Sequence, residues 1–152
     1  MGYSGRRKSE YLKYLQKGGN KYSARKCYLD GMLFDSQAEK ERYCHLRLLE
    51  KAGEIHDLEH HPKFTLIPEQ RDAYGKLLEK PVEYEADFMY LDDEGVVHVE
   101  DVKGMQDPPK EYVIKRKLML YKHGIKIHEM YYRRGNWIEK ERGKKIPEVM
   151  TW

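Results

Sequence analysis

The residues best placed to do chemistry are Asp101 and Lys103, which close the run Val96-Val97-His98-Val99-Glu100-Asp101-Val102-Lys103-Gly104. A Val-rich run is usually buried, and charges at its end must find partners or a metal. Strand alternation puts Val97, Val99, Asp101 and Lys103 on one face and His98, Glu100 and Val102 on the other. A carboxylate and an amine sharing a face suit metal-assisted hydrolysis, in which the acid holds a cation and the amine orients or deprotonates water. Taken alone, the pair reads more plainly as a salt bridge at a strand edge. The choice turns on whether other acids converge there.

Two others are candidates. Residues 82–90 alternate strictly, with Val82, Tyr84, Ala86, Phe88 and Tyr90 on one face and Glu83, Glu85, Asp87 and Met89 on the other, which predicts one strand. The turn Asp92-Asp93-Glu94-Gly95 folds it back antiparallel onto the Val-rich strand, so Asp87 falls opposite residues 98–100, a diagonal step from Asp101. Glu39 belongs to a helix predicted from Ser36 to about Ala52, with Gly53 as its stop. At 100° per residue, Arg42, Tyr43, Leu46 and Leu49 lie within about 80° of Glu39, so this acid points along the inward stripe. Ser36 and Glu39 also form a capping box, which by itself accounts for a glutamate there.

The other elements follow from local pattern. Asp30-Gly31 between apolar flanks is a hairpin signal. Residues 54–67 read as one strand interrupted near Pro62, hence an edge strand or one with a bulge. His56, His60 and His61 read as surface or supporting residues rather than zinc ligands, because no Cys or second His at helical spacing accompanies them. Residues 68–81 are polar and read as a long connection. A helix over residues 110–123 is predicted to turn Ile114, Leu118 and Tyr121 to one face, and Gly124 ends it. A last strand over residues 125–132 places Ile125, Ile127, Glu129 and Tyr131 together. The remainder is open between a short helix and an ordered tail.

Composition sets the frame. A chain of 152 residues fits one domain able to bury a core without staples. Charged residues make up 36% and apolar residues 39%, so the core is lean, but thirteen Tyr and three Phe supply aromatic bulk. Net charge is only +3, yet Arg6, Arg7, Lys8, Lys13, Lys17, Lys21, Arg25 and Lys26 face the single acid Glu10 at the N-terminus, an arm suited to a polyanion. We therefore expect a basic arm over residues 1–27, a core over 28–135, and a tail over 136–152 that packs on or extends the core. Cys27 and Cys44 are too few for a disulfide framework or a zinc ribbon, and no apolar run reaches membrane length. A cytoplasmic protein with no membrane partner is the expectation.

The predicted order of helix, strand, two-stranded hairpin, helix and strand, with Asp87 in Glu-Ala-Asp-Phe, the Asp101-Val102-Lys103 triplet and Glu39 in the first helix, resembles the PD-(D/E)XK nuclease superfamily. More closely, Phe-Asp-Ser-x-x-Glu, Leu-Glu-His-His-Pro-Lys-Phe, Tyr-x-Ala-Asp-Phe, Glu-Asp-Val-Lys-Gly and Lys-Arg-Lys-Leu look like small phage-borne nucleases related to Holliday junction resolvases. Residues 28–132 carry this resemblance. Ala86 stands where the superfamily motif has proline, and His61 where relatives often have glutamine. Glu100 competes with Asp101 for the motif acid, and the spacing and shared face with Lys103 select Asp101.

The resemblance implies an α/β (α+β) fold, with a restriction-endonuclease-like αβββαβ core whose mixed central sheet is flanked by helices. It implies a metal-dependent DNA endonuclease, structure-selective on branched DNA, acting as a homodimer in the cytoplasm of a phage-infected bacterium. Asp87, Asp101 and the Val102 backbone carbonyl would hold Mg2+, with Mn2+ as a substitute, and Glu39 would reach the metal directly or through water. Lys103 would orient or deprotonate the attacking water and offset phosphate charge. Arg6, Arg7, Lys8, Lys110, Lys115, Lys117, Arg133 and Arg134 would ring the site as DNA-binding groups, although each lysine run also reads as a solvated face. Two alternatives remain: a nicking or sequence-tolerant phage endonuclease, and a catalytically silent DNA-binding protein of the same fold.

Overall fold

A computed structural model describes residues 26–104 and 107–141. Arg6, Arg7 and Lys8, with most of the basic arm and the last eleven residues of the tail, lie outside the described residues. The chain begins with β1 (Cys27–Leu29) and β2 (Met32–Phe34), joined by Asp30 and Gly31 at φ 52° and 79°. Two left-handed central residues are what a tight two-residue hairpin needs, and Asp-Gly supplies them at little steric cost.

Helix α1 (Gln37–Lys51) follows. The Ser36 side chain accepts from the Glu39 amide at 3.1 Å, and Glu39 Oε2 accepts from the Asp35 amide at 2.9 Å. The capping box thus forms, reaching one residue further back than its usual partner. Gly53, at φ 78°, turns the chain out of the helix.

Next come β3 (Ile55–His60), β4 (Lys63–Ile67), β5 (Gln70–Arg71), β6 (Leu77–Glu79), β7 (Val82–Glu85), β8 (Phe88–Asp92) and β9 (Val97–Val102), then α2 (Lys110–His123), β10 (His128–Arg133) and β11 (Asn136–Glu139). The central sheet has five strands in the order β11-β10-β9-β8-β3. Only β9 and β10 run parallel, because α2 crosses over between them; the other pairs are antiparallel. The fold is α+β, with a mixed sheet between α1 and α2. Among the described residues no helix is long and apolar enough to cross a membrane.

Alternation along β9 divides the core. Val99 joins Leu66, Tyr84, Ala86, Tyr112, Met119 and Ile127 on the α2 side, whereas Val102 packs with Phe34, Tyr43, Leu46, Ile55 and Phe88 on the α1 side. Fully buried Phe88 and Leu46 each contribute about 1.5–3 kcal/mol of burial free energy.

Several expectations change. The single strand over 82–90 is two, β7 and β8, broken at Ala86-Asp87, and the strand over 54–67 is likewise β3 and β4, broken at His61-Pro62. The breaks lie side by side. His61 donates its amide to the Asp87 carbonyl and Ala86 donates to the Pro62 carbonyl, both at 3.0 Å, so one antiparallel ribbon bends at both strands. The bend shifts the alternation: Tyr84 and Ala86 face α2, but Phe88 faces α1. Residues expected to share one face are therefore divided between two.

The polar stretch 68–81 holds a small hairpin, β5 with β6. Residues 136–139 form an edge strand on β10, so this part of the tail extends the sheet. In α2 the buried residues are Tyr112 and Met119, while Ile114 and Tyr121 are exposed. Arg116 turns inward to the buried Glu129, with Nη1 2.6 Å from Oε1, so the inward stripe runs Tyr112, Arg116, Met119. A face assigned from apolar residues alone misses that charged member.

Candidate functional site

Antiparallel β8 and β9 pair Phe88 with Glu100, which sets Asp87 beside Asp101 at the end of the sheet where β9 finishes. That register is close to the expected one. Asp87 Oδ2 accepts from the Val102 amide at 2.6 Å, so the bend at Asp87 aims its carboxylate across the strand end. Val102 thus meets Asp87 through its N–H, and its carbonyl belongs to the same short stretch.

Asp101 is buried on the α2 side. Its Oδ2 lies 3.0 Å from Lys103 Nζ and also accepts a hydrogen bond from the Tyr84 hydroxyl. Burial, and then the Asp101 charge and hydrogen bond, push the Tyr84 phenol far above its ordinary value, so it remains a donor. Lys103 Nζ also sits 3.7 Å from the centroid of the Tyr112 ring, whose electron-rich face favours a cation. The Tyr112 hydroxyl in turn donates to Glu129 at 3.0 Å. The lysine is thus positioned by β9 and the first turn of α2 together.

Glu39 approaches from the α1 side and is 2% exposed. Its Oε2 caps the helix, while Oε1 accepts from Nε2 of His60 at 2.8 Å and of His61 at 2.6 Å. One Glu39 oxygen therefore serves the helix start, and the other meets the two histidines. Glu39, His60 and His61 each offer a ligand atom within 4.8 Å of the others, a group that could hold a metal ion.

Asp87 lies between these two halves. Burial first, and then the charges of Asp101 and Glu39, push its carboxyl from an ordinary 3.8 up to about 8, against the opposing pull of the Val102 amide and Lys103. A carboxylate held this way is short of positive charge, a deficit that a divalent cation relieves. The donors that Asp87 and Asp101 offer are oxygens, the kind that hard cations take. The four predicted residues Glu39, Asp87, Asp101 and Lys103 thus meet at one sheet end from three places in the chain, α1, the bend before β8 and the end of β9.

Glu100 does not join them. It points to the α1 side, where Oε2 accepts from Arg42 Nε at 2.7 Å, and Oε1 from Arg42 Nη2 at 2.6 Å and from the Tyr90 hydroxyl at 2.6 Å. With this bidentate pair its lone pairs are committed to holding α1 against the sheet.

The predicted phosphate-binding groups are spread more widely. Arg133 ends β10 and Arg134 follows in the turn to β11. Because Met130 pairs with Val102 in parallel register, these arginines lie about 10 Å further along, at the same sheet end as Lys103. Lys110 is the exposed first residue of α2, near the turn that carries Tyr112. Lys115 pairs with Glu111 at 3.0 Å, and Lys117 is exposed further down the helix.

Sequence reasoning passed over Tyr84, which alternation placed with the core, and His60 and His61, which metal-ligand spacing rules disfavoured. The available signal was the adjacent pair His-His before Pro62, together with an inward acid on the preceding helix.

The profile of a family described as "Protein of unknown function (DUF1064)" matches residues 19–145. No curated protein and no solved structure matches the chain.

Proposed function

We propose that this chain, which belongs to the DUF1064 family by a match over residues 19–145, is a divalent-metal-dependent DNA endonuclease. The observation that carries this reading is the convergence of Asp87, Asp101, Lys103 and Glu39 at one end of the central sheet. A salt bridge at a strand edge needs Asp101 and Lys103 only; it gives no reason for Asp87 to be held against them with its carboxyl raised to about 8.

Asp87 and Asp101 would hold Mg2+, which when bound supplies charge stabilisation for a phosphodiester transition state and a more acidic water. Mn2+ is expected to substitute. Tyr84 fixes one Asp101 oxygen through its hydroxyl, and the Val102 amide fixes one Asp87 oxygen, so both carboxylates are pre-oriented. Lys103, braced on the Tyr112 ring, would orient or deprotonate the attacking water and meet phosphate charge.

The substrate reading is DNA, branched by resemblance to junction-resolving nucleases, with a homodimer as the working assembly. Arg133, Arg134 and Lys110 at the site's end of the sheet, with Arg6, Arg7 and Lys8 in the arm, would meet phosphates, and Lys115 and Lys117 would extend that surface along α2.

The test is incubation of the full chain with a labelled four-way junction, a nicked duplex and a linear duplex, in Mg2+, Mn2+ or EDTA. Metal-dependent cleavage of the junction in preference to the others supports the proposal, and cleavage of all three alike favours a sequence-tolerant endonuclease. Binding without cleavage in either metal leaves a silent DNA-binding protein and rejects the enzyme.

A further inference from the structure

Within a strand, consecutive side chains point to opposite faces, so two adjacent histidines should not meet the same atom. His60 and His61 do. Both Nε2 atoms reach Glu39 Oε1, and the ring centroids are 3.7 Å apart. The cause is the backbone of His61, at φ 56°, a left-handed conformation that non-glycine residues seldom adopt and that Pro62 disfavours further. Such a conformation persists where the surroundings over-determine it. Here the His61 amide is tied to the Asp87 carbonyl at 3.0 Å, and the Phe34 ring packs 4.5 Å from His60.

We infer that Glu39, His60 and His61 form a binding site for a borderline first-row divalent ion, Zn2+ being the best fit, chemically distinct from the hard-cation position at Asp87 and Asp101. One carboxylate and two imidazoles are a donor set suited to such an ion and leave a further position open. Mg2+ takes oxygen donors and has little use for imidazole. The three ligand atoms already lie within 4.8 Å of one another.

The surroundings fit a ligand role. Glu39 Oε2 is engaged by the Asp35 amide, which leaves Oε1 as the atom presented to the imidazoles. Nδ1 of His61 lies 3.6 Å from Glu85 Oε1, and a carboxylate behind the second ring nitrogen orients a ligating imidazole and raises its basicity. The His60 and His61 side chains are 12% and 26% exposed, so an ion has a path in, although Glu39 is closed off behind them. The site does not depend on nuclease activity: it would bind whether or not Asp87 and Asp101 serve catalysis.

The experiment is titration of the full chain with Zn2+, in the presence and absence of millimolar Mg2+, using wild type, His60→Ala, His61→Ala and Asp101→Asn. One Zn2+ should bind wild type without competition from Mg2+. Each histidine variant should lose about tenfold or more in affinity, and Asp101→Asn should stay within about threefold. Equal affinity in wild type and both histidine variants overturns the site. X-ray absorption on Zn2+-loaded wild type guards against misfolded variants. Two imidazole nitrogens in the shell support the assignment, and a shell containing sulfur or fewer than two imidazoles rejects it.

Discussion

Replacing Asp87 by Asn should stabilise the metal-free protein at pH 8 and leave it nearly unchanged at pH 4. The folded carboxyl titrates at about 8 against an ordinary 3.8, so the fold holds this proton more tightly than the unfolded chain does. For a group raised in this way, the stability it contributes is fully present below about 3.8 and is lost as the pH climbs towards 8. At about 1.36 kcal/mol per pH unit, the full displacement is worth on the order of 5 kcal/mol. Water entering the half-open site and rearrangement of neighbouring charges reduce this, and about 2–4 kcal/mol is the working figure.

Asparagine keeps an oxygen to accept from the Val102 amide, at 2.6 Å in the wild type, and carries no charge at any pH. For a domain of this size each kcal/mol moves Tm by roughly 2–4 °C, so the variant should melt roughly 5–15 °C above wild type at pH 8 in EDTA. The assay is a series of thermal melts from pH 4 to pH 8.5, read as the difference between variant and wild type, since other groups titrate over the same range. Saturating Mg2+ should raise wild type and do little for the variant, closing the gap from the other side. If the two proteins melt together at pH 8 in EDTA, or the variant melts lower, Asp87 is not held under like-charge repulsion and the electrostatic case for a cation there fails.

Asp101→Asn should lower cleavage about a thousandfold or more while leaving DNA binding intact or tighter, because a negative charge leaves the groove; single-turnover cleavage beside a binding titration tests this, and normal cutting would reject Asp101 as a metal-holding acid. Glu100→Ala should act on folding, costing about 3–5 kcal/mol in urea unfolding because Arg42, with a side chain 7% exposed, loses its carboxylate partner, and cleavage per folded molecule should survive where the variant still folds. Deleting residues 1–20 should weaken DNA binding and flatten its dependence on salt; an unchanged slope means the arm does not touch phosphate.

Much of this was legible because local pattern and tertiary structure agree. Ser36 with Gly53, and Gly124 after α2, delimit the helices by capping chemistry that depends on few neighbours. The choice of Asp101 over Glu100 followed from alternation, since β9 is regular and its two faces meet different partners. What was not legible depends on pairings distant in sequence. The inward face of α2 includes Arg116 only because Glu129 waits on β10, and no periodicity within the helix announces that. Likewise residues 136–139 carry no strong strand signal; they gain their strand from the open edge of β10.

The alternation failed at Asp87 and at His61, and these are also where the chemistry gathers. A regular β ribbon would carry Tyr84, Ala86 and Phe88 on one face and leave Asp87 on the other, near Asp101 or near Glu39 but not near both. Bending the ribbon at two adjacent points, tied by the hydrogen bond from the His61 amide to the Asp87 carbonyl, lets one carboxylate feel acids on both sides of the sheet. The same bend turns His61 to the side of His60. At His61 the left-handed backbone, at φ 56°, is locally unfavourable and persists with what it brings together. Lengthening either bend by one residue should therefore separate the two halves of the site at once, whereas an insertion of the same size in the 72–76 turn between β5 and β6 should leave both in place.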